Sequence, residues 1–354
     1  VDLNTQAAQL AENIKKTLKI DSRFVVFDFE IAGTDALSEL NFRVSSMYAA
    51  DGIRSFFEEK SPVGNGIKLG TVRLLPDDVP AEALFAICNV SAAPILAAAS
   101  HANEQITQMI LGESADVLEQ RGTSWTRVRL HTDGYIGWIS TNQIVRCSEN
   151  EVRAWQKGRR VQSRQVVATL RSAPSPSSDP VREFVCPAVL PVKSRKRNWI
   201  SLRLPDGTMG WLRASECIPF QPGRASASAL LRTARRFLGI SYLWGGRSAK
   251  GLDCSGFTQM VFGLHGIELP RDASLQFTCG DALLTSPTEW VAGDLVFFSL
   301  DGRKITHVGI ALGMDQGYIH ASGYVKINSF DRAHELFDSH RADTFIGARR
   351  LGVL

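Results

Sequence analysis

The stretch YLWGGRSAKGLDCSGFTQMVF, Tyr242 to Phe262, sets a cysteine between a glycine-rich turn and an apolar run with helical spacing. A thiol that only filled a core would need no Gly-Gly turn ahead of it, no Asp before it and no Ser-Gly behind it. Upstream, LLRTARRFLGI reads as an amphipathic helix stopped by Gly239. A second helix begins near Asp253, with Cys254, Phe257, Val261 and Leu264 on one face turned to a core. Cys254 then lies in the first turn, among unpaired backbone N–H groups at the positive end of the helix dipole. There a thiol pKa falls and the reactive thiolate is favoured. Gly245, Gly246 and Gly251 permit a tight approach, and Gly256 leaves room beside the sulfur.

A nucleophilic cysteine needs a base, and imidazole fits because its ordinary pKa lies near neutrality. Seven histidines compete. His265 is eleven residues along the same helix, about 16 Å away at the helical rise, and cannot reach. His101 and His131 belong to an upstream β-rich segment, and His334 and His340 sit in polar surroundings near the C-terminus. His307 opens the strand HVGIALGMD after the apolar strand DLVFFSL, and His320 ends YIHASG, the next strand of a meander. Adjacent strands can bring both imidazoles over one helix start, with His307 as base and His320 as the group that orients it.

Further upstream the chain repeats itself. SWTRVRLHTDGYIGWI (Ser124 to Ile139) aligns with NWISLRLPDGTMGWL (Asn198 to Leu212), each a Trp, an alternating strand, an Asp-Gly turn and a Gly-Trp entering another strand. Units of about 60 residues fit five-stranded half-open barrels and resemble bacterial SH3-like domains, at about 86–146 and 165–220. Charged SENEVRAWQKGRRVQSRQ joins them and QPGRASAS leads into the last segment. The second copy carries a loop-like RSAPSPSSDPVREF and a basic KSRKR run read as a solvated hairpin tip. Ahead of both, the order helix, strand, strand, helix, strand makes a small α+β domain ending near Pro80, vaguely similar to a BON-type module.

Composition sets the outer bounds. With 354 residues, 44% apolar and 21% charged, the chain has room for two to four domains. A net charge of +4 suits an anionic polymer surface and does not call for nucleic acid. No apolar run approaches the roughly 18 residues of a membrane span. VDLNTQAAQL lacks the regions of a secretory signal, which favours the bacterial cytoplasm; a periplasmic or secreted site stays open if a signal was removed before Val1. The six cysteines form no CxxC pair, so mostly reduced thiols are expected, and no ligand cluster suggests a metal or other cofactor.

The carriers YLWGGRSAKGLDCSGF, LPRDASLQ, AGDLVFFS, THVGIALG and YIHASG make residues from about 228 to 354 resemble the NlpC-type papain-like cysteine peptidases of bacterial cell walls. The resemblance implies an α+β fold class: a papain-like NlpC-type domain at 225–354, preceded by a small α+β domain at 1–83 and SH3-like barrels at 84–147 and 165–222, with a linker at 148–164. It implies Cys254 as nucleophile, His307 as base and His320 as third member, with Tyr242, Asp253 and Ser255 shaping the pocket. Two SH3-like modules ahead of such a peptidase resemble the γ-D-glutamyl-L-diamino acid endopeptidases, which cleave murein stem peptides after L-Ala-γ-D-Glu. In that subgroup the first module docks on the peptidase, closes the cleft and selects a free L-Ala amine. Candidate amine ligands are Asp272, Tyr135 and Glu104, since a buried ammonium needs carboxylate or phenol partners. Ala273 stands where the family frequently has a hydroxyl residue, with Ser274 nearby. A thiol amidase, acyltransferase or transglutaminase-like enzyme on the same fold, and a non-catalytic murein-binding protein, are the competing readings.

Overall fold

A computed structural model of the protein describes residues 3–33, 38–59, 67–220, 226–280, 282–313 and 317–352. The chain divides into two compact units, one of residues 1–86, 114–142 and 146–152, the other of 87–113, 143–145 and 153–354.

In the first unit, helices Leu3–Thr17 and Met47–Glu59 accompany strands Phe27–Ala32, Ser38–Val44 and Ile67–Leu74, the element order read from the periodicity. The central strand pairs antiparallel with the first and parallel with the third. A parallel neighbour needs a crossover, which the second helix supplies. Ala7, Ala11 and Ile14 of one helix and Ala49, Ala50 and Ile53 of the other close over Leu40, Phe42 and Val44. The same unit holds the meander Ser114–Arg121, Trp125–Leu130 and Ile136–Ser140. Its second turn needs Gly134, whose φ of 76° is open to glycine at little cost.

The second unit holds the hairpin Ala92–Leu96 and Gln105–Ile110, a seven-stranded sheet and a six-stranded one. The seven-stranded sheet runs Pro180–Val185, Val167–Arg171, Met209–Arg213, Trp199–Arg203, Val189–Lys196, Arg160–Ser163, Cys217–Pro219. Gly207, with φ of 83°, turns Trp199–Arg203 into Met209–Arg213 as Gly134 does in the repeat. Lys193 to Arg197 are exposed, as a hairpin tip should be. The charged segment expected to be plain linker is instead the helix Glu149–Gln156 and a strand. Val161, Gln162 and Ser163 of that strand are all buried, since it pairs with Val189–Pro191 on one side and Cys217–Pro219 on the other. Most of QPGRASAS lies outside the described residues.

The six-stranded sheet runs Ala282–Leu284, Phe345–Arg350, Leu295–Phe298, His307–Ala311, Gly317–Ser322, Tyr324–Ser329, antiparallel throughout. Trp290, Val296, Phe298, Tyr318 and Ala348 form a core on it. Helix Cys254–Gly263 was expected to bury one face, yet residues 254–262 are all buried. Most of CSGFTQMVF is apolar or small, and the Gln259 amide is satisfied inside by Arg247 Nε and the Leu269 carbonyl, so no side of the helix needs water. Asp253 caps it by accepting from the Gly256 N–H at 2.7 Å.

Candidate active site

Strand pairing brings His307 and His320 together. His307 Nε2 lies 2.7 Å from His320 Nδ1, and His320 Nε2 lies 2.9 Å from Asn328 Oδ1. The Asn328 amide is oriented by its Nδ2, which donates to the Leu336 carbonyl at 3.1 Å. The proton positions follow in sequence. Asn328 Oδ1 can only accept, so His320 carries its proton on Nε2 and offers Nδ1 as acceptor. His307 must then donate from Nε2, which leaves its Nδ1 lone pair free as a base. The backbone N–H groups of Val308, next to His307, and of Ser255 favour a negative charge on the Cys254 sulfur. His320 is fully buried, His307 is 5% exposed and Cys254 is 8% exposed.

The electrostatics correct one expectation. Burial pushes the Cys254 thiol up to about 12, helped by the Asp253 charge and opposed by the two N–H groups and Arg271. The helix start does not make a resting thiolate, because desolvation outweighs the local donors. Burial likewise holds His307 well below its ordinary pKa and His320 down at about 4. At neutral pH the site rests as a thiol beside two neutral imidazoles. Elevated pKa does not single out Cys254, since burial also raises Cys88 to about 12 and Cys186 to about 11. All six cysteines are free.

Asp253 and Ser255 turn out to be supports. Both Asp253 oxygens meet the Arg271 guanidinium, at 3.0 and 2.5 Å, and Arg271 Nη1 also donates to Ser255 Oγ at 3.0 Å. Asp253 Oδ2 accepts further from the Gly245 N–H at 2.9 Å. Gly256 is required by the Gly246 carbonyl, which a Cβ there would strike, and so serves the backbone crossing ahead of the helix more than the sulfur. Tyr242 is half-buried within electrostatic reach of Cys254 and Asp253, and burial raises its phenol to about 12, so it stays a proton donor.

Of the expected amine ligands, Glu104 Oε1 accepts from the Trp244 indole at 2.6 Å, and Gln105 Nε2 donates to the Trp244 carbonyl at 2.8 Å. Both contacts join the 92–110 hairpin to the turn ahead of Cys254. Arg247, 3% exposed, adds a fork onto Glu113 at 2.7 and 2.9 Å and a bond to the Gln108 carbonyl at 3.1 Å. Asp272 precedes helix Ala273–Gln276 and is half-buried beside Arg271. Tyr135 belongs to the first unit, where it is 8% exposed and its ring meets Phe24 edge-on at 6.0 Å. His265 bonds Thr233 and His131 bonds Ser114 and Asp116, which occupies both elsewhere. Among the described residues no group of three or more His, Cys, Asp or Glu could hold a metal, and no helix is long and apolar enough to cross a membrane.

The sequence profile of the NlpC/P60 family matches residues 239–350, and that of the bacterial dipeptidyl-peptidase Sh3 domain matches residues 95–144. A Bacillus cereus protein named gamma-D-glutamyl-L-lysine dipeptidyl-peptidase is 30% identical over 235 residues, 63% of this chain and 68% of that protein. The chain belongs to the NlpC/P60 family. As such it is a cysteine peptidase, its NlpC/P60 domain at the C-terminal end and SH3-like β domains ahead. Dipeptidyl-peptidase 6 of Lysinibacillus sphaericus is 26% identical over 257 residues, 68% of this chain and 90% of that protein. The crystal structure of an NlpC/P60 family protein from Bacillus cereus matches with a TM-score of 0.66 at 25% identity, covering 75% of this chain and 99% of that one. An NlpC/P60 endopeptidase from Photobacterium damselae, 15% identical with a TM-score of 0.59, covers 77% of this chain and 74% of that one and shares the fold.

Two residues of this NlpC/P60 site escaped the sequence reading. Arg271 stands beside Asp272, and its burial was not visible from LPRDAS. Asn328 lies eight residues past His320; folding the hairpin about Gly323 puts it opposite Tyr318, diagonal to His320, so strand register was the available signal.

Proposed function

We propose that the protein hydrolyses the γ-D-glutamyl-L-diamino acid bond of murein stem peptides that begin with a free L-Ala. The names of its relatives support the bond. The Asn328–His320–His307 relay beside Cys254 supports the chemistry, and is the observation that carries the reading. Cys254 Sγ attacks the γ-carbonyl carbon of D-Glu while its proton passes to His307 Nδ1. The oxyanion is met by local N–H groups and by the Tyr242 hydroxyl, a donor at neutral pH. Collapse breaks the C–N bond, His307 returns the proton to the departing amine, and a water then hydrolyses the thioester with His307 again as base.

Free-amine selection rests on Glu104 and Asp272. On this reading the first SH3-like module closes the acyl end of the cleft, and the Glu104–Trp244, Gln105–Trp244 and Arg247–Glu113 contacts hold it there. The test is direct. Purified protein is offered L-Ala-γ-D-Glu-L-Lys, its diaminopimelate counterpart and N-acetylated versions, and product masses are read. Release of the diamino acid from free-amine peptides, with acetylated ones spared and Cys254→Ala inert, is expected. Cleavage at another bond, or equal rates on acetylated peptides, refutes the bond or the amine selection respectively.

A further inference from the structure

On the imidazole side of the site stand two cations that, among the described residues, have no carboxylate within ion-pair distance. Arg341, in helix Ser339–Thr344, lays its guanidinium carbon 5.4 Å from the centre of the Phe298 ring, which itself lies 5.5 Å from the His307 ring. Its Nη2 donates to Ser322 Oγ at 3.3 Å, on the strand that carries His320. Lys326 is the direct cross-strand partner of His320 and holds its ammonium 5.8 Å from the Tyr324 ring. Among the described residues neither cation has a carboxylate within 4.0 Å. The neighbouring anion, Asp338, is engaged in capping the helix, its Oδ1 accepting the Arg341 backbone N–H at 3.0 Å. Arg341 is half-buried, so its donors are held near the site and not dispersed in solvent.

These cations work against the base. Both depress the proton affinity of His307 and His320, so the proton-transfer machinery gains nothing from them. A cation that costs the base and has no carboxylate beside it among the described residues is suited to an anion that arrives with the substrate. Reaction geometry says which part of the substrate that is. The departing amine takes its proton from His307, so the diamino acid that carries this amine must lie on the imidazole side. The L-Ala end is taken up by Glu104 and Asp272. In a tripeptide the diamino acid bears its own α-carboxylate. Diaminopimelate adds a second carboxylate at the tip of its side chain, where lysine offers only an ammonium.

We propose that Arg341, together with Lys326, is the specificity-determining anchor for a carboxylate of the departing diamino acid. The inference rests on the hydrolase reading above. Arg341 suits the task because its planar fork meets a carboxylate through two parallel N–H donors.

The experiment measures kcat and KM of the full chain on three peptides: L-Ala-γ-D-Glu-L-Lys, its C-terminal carboxamide and the diaminopimelate tripeptide. Wild type is compared with Arg341→Gln and, separately, Lys326→Gln. If the α-carboxylate is the ligand, wild type loses at least about tenfold in kcat/KM on the carboxamide; if the side-chain carboxylate is, it gains at least about tenfold on diaminopimelate, the scale of one charge-assisted hydrogen bond. In either case Arg341→Gln brings that ratio to within about threefold of one, chiefly through KM. Equal wild-type efficiency on all three peptides, or a ratio that Arg341→Gln leaves untouched, overturns the anchor while the hydrolase stands. No cleavage of any peptide by wild type removes the hydrolase reading and the anchor together.

Discussion

Replacing Arg271 with Met would probe the support under the nucleophile. Arg271 is 2% exposed and donates to both Asp253 oxygens, at 3.0 and 2.5 Å, to Ser255 Oγ at 3.0 Å and to Thr107 Oγ1 at 2.9 Å. Asp253 is 7% exposed, so Met would leave a carboxylate buried with no counter-charge. Breaking such a pair from one side costs about 3–5 kcal/mol. Two backbone N–H groups, of Gly245 and Gly256, still reach Asp253 in the variant and place the expected cost at the lower end, about 3 kcal/mol. The Arg271→Met/Asp253→Asn pair should recover about 1–2 kcal/mol of it, because the stranded charge is then gone. A single global unfolding free energy is ill-defined for a chain with several domains. The assay is therefore native-state hydrogen exchange at the Gly256 amide, which the Asp253 carboxylate holds directly. Faster exchange in Arg271→Met, partly restored in the double variant, is expected. Exchange unchanged to within about 0.5 kcal/mol would show that Arg271 does not hold the helix cap, and the support argument would fail.

The remaining predictions concern the imidazoles and the crossing beneath them. His320 has its pKa depressed by burial from about 6.5 to about 4, so between these values the unfolded chain binds a proton that the folded one refuses. Its stabilising contribution is full above pH 6.5, falls as pH drops towards 4 and amounts to about 3 kcal/mol over the window at roughly 1.4 kcal/mol per unit. Apparent Tm should thus fall further between pH 7.5 and 4.5 in wild type than in His320→Phe, and equal falls would count against a buried neutral imidazole. Asn328→Leu removes the group that fixes the His320 tautomer; kcat should drop about ten- to a hundredfold with KM nearly kept, within the roughly 10² to 10⁴ that general-base catalysis supplies. A kcat within twofold of wild type would remove Asn328 from the relay. Gly256→Ala should cost folded protein outright, since the new methyl meets the Gly246 carbonyl, and a soluble variant of unaltered melting temperature would contradict that packing.

Much of this was written in local pattern. Asp-Gly turns flanked by alternating strands gave both hairpins of the repeat, because positive φ at Gly134 and Gly207 is a local requirement. The two histidines were findable because consecutive strands of a meander are neighbours, and register then sets them 2.7 Å apart. What stayed hidden depends on partners remote in sequence. Arg271 reaches Thr107, 164 positions away, and Arg247 reaches Glu113, 134 positions away; nothing in either neighbourhood announces it. The strand Arg160–Ser163 was concealed for a related reason, as its Gln162 and Ser163 are polar yet buried between strands remote in sequence, and the charged residues ahead of it resemble a solvated linker. The thiol pKa went astray because a helix start is visible in sequence whereas the depth at which it is buried is not.

In the proposed reaction Cys254 forms a covalent bond to the acyl half of the peptide. The most direct measurement mixes enzyme with L-Ala-γ-D-Glu-diamino acid, quenches in acid within the first turnover and maps the protein by mass. An adduct equal to L-Ala-γ-D-Glu less one water, on the peptide that contains Cys254 and absent from Cys254→Ala, is expected. Turnover that survives in Cys254→Ala, or an adduct on any other residue, would contradict it.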